Sequence, residues 1–233
     1  MLTKARSRKI FQGDEMKVIA FLVIALSILG IAGTASADII LSPYADVQTY
    51  SAGDYTDFNF DVYPSSSTAE LWTGNWDYSG KLVSNSYLIF NLPSTPGVQS
   101  ATLWLYNSVA GYSAANVSAY STSADYKGTS DIWKENGLTW NNAPGVGTLA
   151  TTTTVGSSTG WYSWDVTSLA QSAVGGKLYL ELTSDGTSHV YEARENTGGY
   201  TPYLSVTAVP EPVSMTLFLV GVVPLAVKRL RRK

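Results

Sequence analysis

The sequence predicts an all-β protein, a β-sandwich with one short helical turn and a targeting helix at each end. Three observations lead there. Between residues 38 and 208, apolar and polar side chains alternate with period two in short runs set apart by Gly, Pro, Ser and Asn clusters. No helical period in that stretch runs beyond two turns. The composition is rich in Ser, Thr, Gly, Tyr and Trp and poor in Lys and Glu, as in extracellular all-β domains.

The elements follow in order. Ile39 to Tyr50 reads as a first strand. Asp54 to Asp61 carries three carboxylates, Asp54, Asp57 and Asp61, with aromatics between them. Pro64 to Thr68 is a Ser-rich loop, and Leu71 to Gly80 reads as a turn-rich loop because Gly74 and Gly80 punctuate it. Ser86 to Leu92 is a strand ended by Pro93. In Ser100 to Ser108, Ala101, Leu103 and Leu105 share one face, and Thr102, Trp104 and Tyr106 share the other. Asn116 to Ser121 repeats the alternation with Val117 and Ala119 inward, and Thr148 to Val155 is Thr-rich and strand-prone. Trp161 to Val166 is a strand leading into a helical turn, Ser168 to Val174, stopped by Gly175 and Gly176. Asp165 or Thr167 can cap that turn by accepting its orphan N–H groups. Lys177 to Thr183, His189 to Arg194 and Tyr203 to Thr207 complete the strands. Jelly-roll winding is the expected version of the sandwich, by analogy.

The two ends carry addresses. From Met16 the chain reads Lys17, an apolar run from Val18 to Ala32, and then Ala35-Ser36-Ala37. A cation, an apolar stretch and a small-x-small site make a secretory signal peptide, whose removal after Ala37 leaves Asp38 at the N-terminus. Residues 1–15 are either a long basic leader or lie upstream of a true start at Met16. At the other end, Val209-Pro210-Glu211-Pro212 precedes an apolar run, Val213 to Val227, and five cations within Lys228 to Lys233. That order resembles the PEP-CTERM sorting signal of Gram-negative bacteria. The resemblance implies handling by an exosortase after export, with residues 209–233 as the signal. The apolar run has fifteen residues and contains Gly221 and Pro224. A stable spanning helix needs about 20, so this one is suited to transient anchoring. The cations behind it favour the cytoplasmic side. A plain single-pass anchor is the alternative.

Residues 38–208 make one domain, long enough to bury a core. They hold five basic and fifteen acidic residues; five less fifteen is −10, against −3 for the whole chain. Such a domain repels nucleic acid and anionic polymers. It suits neutral ligands, or anionic ones through a bound cation. There is no Cys, which excludes disulfides, thiol nucleophiles and thiolate metal sites, and His189 is the single histidine, which excludes a multi-His zinc centre. No Gly-x-Ser-x-Gly occurs. Glu181, Glu192 and Glu195 leave a pair of hydrolytic carboxylates formally open, with no fold-level reason to place two across a cleft. The chain reads as a non-enzyme.

A set of ordered motifs carries a second resemblance: Ala45-Asp46-Val47, the Tyr87 to Leu92 strand, Asp131 to Gly145 (DIWKENGLTWNNAPG), Trp161 to Thr167 (WYSWDVT), Tyr191 to Asn196 (YEAREN) and Pro202-Tyr203-Leu204. Together they resemble the DNRLRE domain, also described as carbohydrate-binding module family 96. The resemblance implies a secreted β-sandwich that binds polysaccharide. Characterised relatives are associated with alginate. The domain charge here is poorly matched to that acidic polymer, and the usual basic residue near Tyr87 to Leu92 is missing, so carbohydrate binding in general is what carries over.

The glycan candidates are outward aromatics, whose flat faces stack on sugar C–H groups while amides and carboxylates bond the hydroxyls. Trp72, Asn75, Trp76, Asp77 and Tyr78 form one group and Trp104 with Tyr106 a second. Arg194, flanked by Glu192 and Glu195, either faces a ligand or closes a strand end through an ion pair. Trp133 and Trp140, at the two ends of a loop, read as pins to the core. Asp54, Asp57 and Asp61 offer hard oxygen ligands for a structural Ca²⁺, with a solvated acidic loop as the alternative and no EF-hand spacing. The reading is an exported cell-surface or matrix protein that binds extracellular polysaccharide, associated with exopolysaccharide or biofilm. Its partners are signal peptidase, an exosortase and, transiently, the membrane; nucleic acid is not among them. A structural matrix protein of the same fold that binds no glycan is the alternative.

Overall fold

The computed structural model describes residues 38–51, 56–60, 70–75, 82–94, 97–110 and 112–209. The two segments expected to act as addresses lie outside them apart from Val209, and so do Ala37, Pro210, Glu211 and Pro212. Among the described residues no helix is long and apolar enough to cross a membrane.

Among the described residues, eleven strands build the domain: β1 (Asp38–Leu41), β2 (Ala45–Tyr50), β3 (Glu70–Asn75), β4 (Val83–Asn91), β5 (Val98–Asn107), β6 (Ala115–Thr122), β7 (Val146–Val155), β8 (Gly160–Asp165), β9 (Lys177–Ser184), β10 (His189–Glu192) and β11 (Tyr203–Ala208). One helix, α1 (Thr167–Ser172), follows β8, and Glu135–Gly137 forms a 3₁₀ turn. Sheet A runs β1-β11-β5-β8, and sheet B runs β2-β4-β9-β6-β7, with every pair antiparallel. From β4 to β9 the chain crosses between sheets at every connection except β6 to β7, and it returns to sheet A for β10 and β11. This is jelly-roll winding, as expected. β3 and β10 join the sheets at one corner, because β3 pairs with β10 and also with β4.

Two elements differ from the expectation. The first strand breaks into β1 and β2 around Pro43, where proline has no N–H to give a ladder. The segment around Leu71 is a strand, although glycine argued for a loop. Gly74 is the reason it can be one. Its φ is +121°, and a Cβ there would stand 2.6 Å from the Thr187 carbonyl oxygen, so only glycine admits this close approach.

The core follows from alternation. Leu88 and Phe90 of β4, Ala101, Leu103 and Leu105 of β5, Val117 and Ala119 of β6, Leu178, Leu180 and Leu182 of β9, and Leu204 and Val206 of β11 all point inward. Trp164 closes this core, and its indole N–H donates to the Val117 carbonyl at 2.8 Å, so a sheet A side chain bonds a sheet B strand. α1 caps one end with Leu169 and Ala170. Asp165 supports its start by accepting the Thr167 N–H at 2.9 Å.

A second, smaller core lies on the outer face of sheet B. The loop between β6 and β7 folds over Ala45, Val47, Tyr87 and Ile89 and buries Trp133, Leu138 and Ala143 there. Trp133 is 1% exposed and its ring N–H donates to the Ser123 carbonyl at 3.0 Å, so it pins the loop as expected. Trp140 stays half-buried.

Candidate functional site

A group of five surface rings lies on the outer face of sheet A. Alternation sets it there. Leu103 and Leu105 enter the core, so Trp104 and Tyr106 face outward; Leu204 turns Tyr203 outward, and Trp164 turns Trp161 and Ser163 outward. Register then aligns them, with Trp104 opposite Tyr203 on one side and Ser163 on the other, and Tyr106 opposite Trp161. Trp104 and Tyr203 lie with centroids 6.0 Å apart and planes within 13°. Tyr200, from the turn before β11, stacks on Tyr106 at 4.2 Å. Trp161 sets its edge against both Tyr106 and Tyr203, at 5.5 and 5.2 Å. Trp161 is 37% and Tyr200 44% exposed. Five rings thus brace one another while part of their surface stays in water.

Hydroxyls continue the same face. Thr102 stands between Ser205 and Asp165 in the next row. Two carboxylates complete it, Asp165, held below its usual range by hydrogen bonds from the Thr167 side chain and backbone, and Asp38, which accepts from the Thr207 hydroxyl at 2.7 Å. No Lys or Arg lies on β1, β11, β5 or β8. The face is therefore aromatic at one end, hydroxyl-rich at the other and acidic.

The structure places the remaining candidates elsewhere. Trp72 is half-buried on β3, with its indole N–H on Glu70 at 3.2 Å and its backbone N–H on the Gln48 side chain at 2.7 Å. Asn75 ends β3, its backbone bonded to Gly186 and Ser188. Trp76, Asp77 and Tyr78 lie outside the described residues. So do Asp54 and Asp61; Asp57 is exposed and its carboxylate accepts from the Asn141 amide at 2.6 Å.

Arg194 sits in an ion-pair network. Its guanidinium reaches Glu135 at 2.7 Å, the Tyr44 carbonyl at 2.9 Å, the Glu195 carboxylate, and Asp46 at 3.7 Å. The Arg194 backbone N–H also donates to Asp46 at 2.9 Å. Burial pushes Asp46 up to about 8, helped by the charges of Glu195 and Glu135 against a smaller opposing effect of Arg194. The three carboxylates stand close enough to share a cation, but the guanidinium already occupies the space among them. The arrangement is the strand-closing ion pair, extended to tie β2, the Glu135 turn and the segment after β10 together. His189 is fully buried with neither ring nitrogen bonded, and burial lowers its basicity, so it packs as a neutral ring.

The sequence profile of carbohydrate-binding module family 96 matches residues 40–208. The chain belongs to that family. The match runs from within β1 to the last residue of β11, so the sandwich itself is the family 96 module, a carbohydrate-binding type of β domain. No curated protein matches the chain. Among solved structures, the K1 and K3 cleaved adhesin domains of Lys-gingipain from Porphyromonas gingivalis W83 are similar at 14% and 11% identity. Each alignment covers 74% of this chain, with 98% and 97% of the respective adhesin domain and TM-scores of 0.34 and 0.33. Likeness at that level carries no argument about this module's ligand.

Sequence reading found Trp104 and Tyr106 but not Trp161, Tyr200 and Tyr203. The signal for Tyr203 and Trp161 was present, since each alternates with an inward Leu or Trp. What joins them into one face is the pairing of β5 with two strands distant in sequence, and no local pattern encodes that.

Proposed function

We propose that this module binds a neutral polysaccharide on the outer face of sheet A and does no chemistry on it. The observation that carries the reading is the five-ring face, Trp104, Tyr106, Trp161, Tyr200 and Tyr203, on a member of a carbohydrate-binding family. Large rings held in place by one another supply contact area at low entropic cost. Thr102, Ser163, Ser205 and Asp165 add hydrogen-bonding partners for sugar hydroxyls. The carboxylates and the absence of cations on these strands disfavour an acidic polymer.

The wider setting is part of the same proposal. In the sequence the small-x-small site Ala35-Ser36-Ala37 stands just before the sandwich and Pro210-Glu211-Pro212 just after its last strand, which ends at Ala208. This supports a module exported by way of signal peptidase, sorted by an exosortase to the surface of a Gram-negative cell, and working in an exopolysaccharide or biofilm matrix.

Affinity electrophoresis of the purified full chain through gels containing neutral or acidic polysaccharides, with Ca²⁺ or with EDTA, tests the reading. Retardation by a neutral glycan is expected, and Trp161→Ala should weaken it about tenfold, or about 1.4 kcal/mol. Retardation by acidic glycans alone, and only with Ca²⁺, would move the site off sheet A. No retardation, with self-association in solution, would favour the structural matrix protein.

A further inference from the structure

The edges of the two sheets are a feature that the glycan reading does not use. Among the described residues, β1 and β8 stand at the edges of sheet A, and β2 and β7 at those of sheet B. An open edge invites pairing with another chain unless something blunts or covers it. Three of these edges are blunted or covered. β1 is four residues long and opens on Asp38. β2 is covered, since its Asp46 N–H donates to the Glu135 carboxylate at 3.2 Å and its Gln48 side chain accepts the Trp72 N–H of β3 at 2.7 Å. On β8 the Ser163 carbonyl accepts from the Thr153 hydroxyl at 2.6 Å.

β7 has no such protection. It is ten residues long and contains neither proline nor a charged residue. Its register to β6 shifts twice before Thr151 and then runs straight from Thr151 to Val155. The direction of the backbone groups in that straight part follows from β6. The Asn116 carbonyl accepts from the Asp185 N–H, on the β9 side. Val117 and Ala119 therefore turn their N–H and C=O to β7, where they meet Thr153 and Thr151. Thr152 and Thr154 alternate with these and turn theirs outward, and no described residue bonds them there. Both residues are exposed. The margin is also uncharged. β6 carries no charged side chain, and Asn136 to Trp164 holds none of the domain's five basic and fifteen acidic residues.

We propose that β7 pairs antiparallel with β7 of a second copy of this chain, around a two-fold axis at Thr153, so that sheet B runs on across a dimer. The outward groups fix the register. With Thr153 on the axis, Thr152 lies opposite Thr154 of the second copy, and residues so placed exchange both N–H···O=C bonds. A two-fold contact needs a surface complementary to itself, and an antiparallel row of free donors and acceptors is one. Charge selects the occupant. A domain of net −10 repels its own copy, but the β6–β7 margin lets two copies meet with no charges opposed. The same margin offers a charged peptide nothing to pair with. Paired residues share a face of the sheet, so the two copies carry their sheets A on the same side. On the glycan reading above, one polymer can then engage both ring faces, a consequence that rests on that reading while the dimer does not.

The test is sedimentation equilibrium of the full chain over a concentration series, with no glycan present. A monomer–dimer equilibrium is expected, and a contact this short places it among the weak, concentration-dependent ones. Thr152→Pro removes an outward N–H and leaves the ladder to β6 whole, and the two-fold makes the loss count in both halves. It should weaken the dimer about tenfold or more. Thr152→Glu combined with Thr154→Glu keeps every N–H and sets like charges directly across the new pair. It should weaken the dimer at least as much with the melting temperature unchanged, which separates lost pairing from failed folding and decides the matter if the proline variant unfolds. Ser168→Glu combined with Ser172→Glu adds the same charge at exposed positions of α1 and should leave the dimer intact. The proposal is overturned if the wild type is a monomer throughout. It is overturned too if the folded β7 variants associate as the wild type does, which would assign association to the apolar ends, or if the α1 variant dissociates as far as they do.

Discussion

Asp46 concentrates the electrostatics of this module in one residue. It is 3% exposed, stands among Glu135, Glu195 and Arg194, and is pushed up to about 8 from 3.8 chiefly by burial. The native state therefore holds a proton on Asp46 that the unfolded chain releases near pH 4. Between those values the folded form binds more protons, so Asp46's contribution to stability is fully present below about pH 4 and is lost as pH rises toward 8. The slope is at most about 1.4 kcal/mol per pH unit. Denaturant titrations of the wild type between pH 5 and pH 8 should show this decline, and Asp46→Asn should lessen it, leaving the part that Glu181, raised by burial to about 7, contributes with the same sign. A wild type whose stability rises across that range would show that Arg194 holds Asp46 ionised. Sequence reading singled out Arg194 and offered an ion pair as one reading, with Glu192 and Glu195 as the flanking acids. Glu135 and Asp46 could not have been named as partners, because they lie 59 and 148 residues away along the chain.

At the scale of elements, the β6 to β7 loop does the work of a second layer. Trp133 packs edge-on against Tyr87 at 6.1 Å and Tyr179 at 5.8 Å, over strands β4 and β9. Trp133→Ala should cost about 3 to 5 kcal/mol, the range for emptying a large buried ring site, read as a drop in the denaturant midpoint. A loss below about 1 kcal/mol would mean that the loop is a dispensable cover. Most strands were legible because alternation survives wherever one face is buried and the other wet. Trp133 was legible for a related reason, since a large ring at the end of a Gly- and Asn-rich loop has few places to go but inward. Strand β3 was not legible. Its single turn signal, Gly74, reflects a close approach to Thr187, a contact 113 residues away that no window of sequence contains. The sheet A ring face was half legible, two of five rings, because facing is local and adjacency is not.

For the molecule as a whole, charge and platform pull in the same direction. The domain carries five basic and fifteen acidic residues, a net of −10, and the ring face adds no cation of its own. Binding by stacking and neutral hydrogen bonds has little long-range Coulomb energy to screen. Affinity for a neutral glycan should therefore change less than about twofold between 50 and 500 mM NaCl, whereas binding through charge pairs would fall steeply over that range; a titration at the two salt concentrations decides. The order of strands in sheet A has a mechanical consequence. β11 lies between β1 and β5 and carries Tyr203, while β5 carries Trp104. A pull on the chain beyond Ala208, resisted by a polymer held at those two rings, runs along β11 and loads its hydrogen bonds to both neighbours side by side. Strands loaded in shear yield only when many bonds fail together, so the module resists that tug where a peeled edge would open bond by bond.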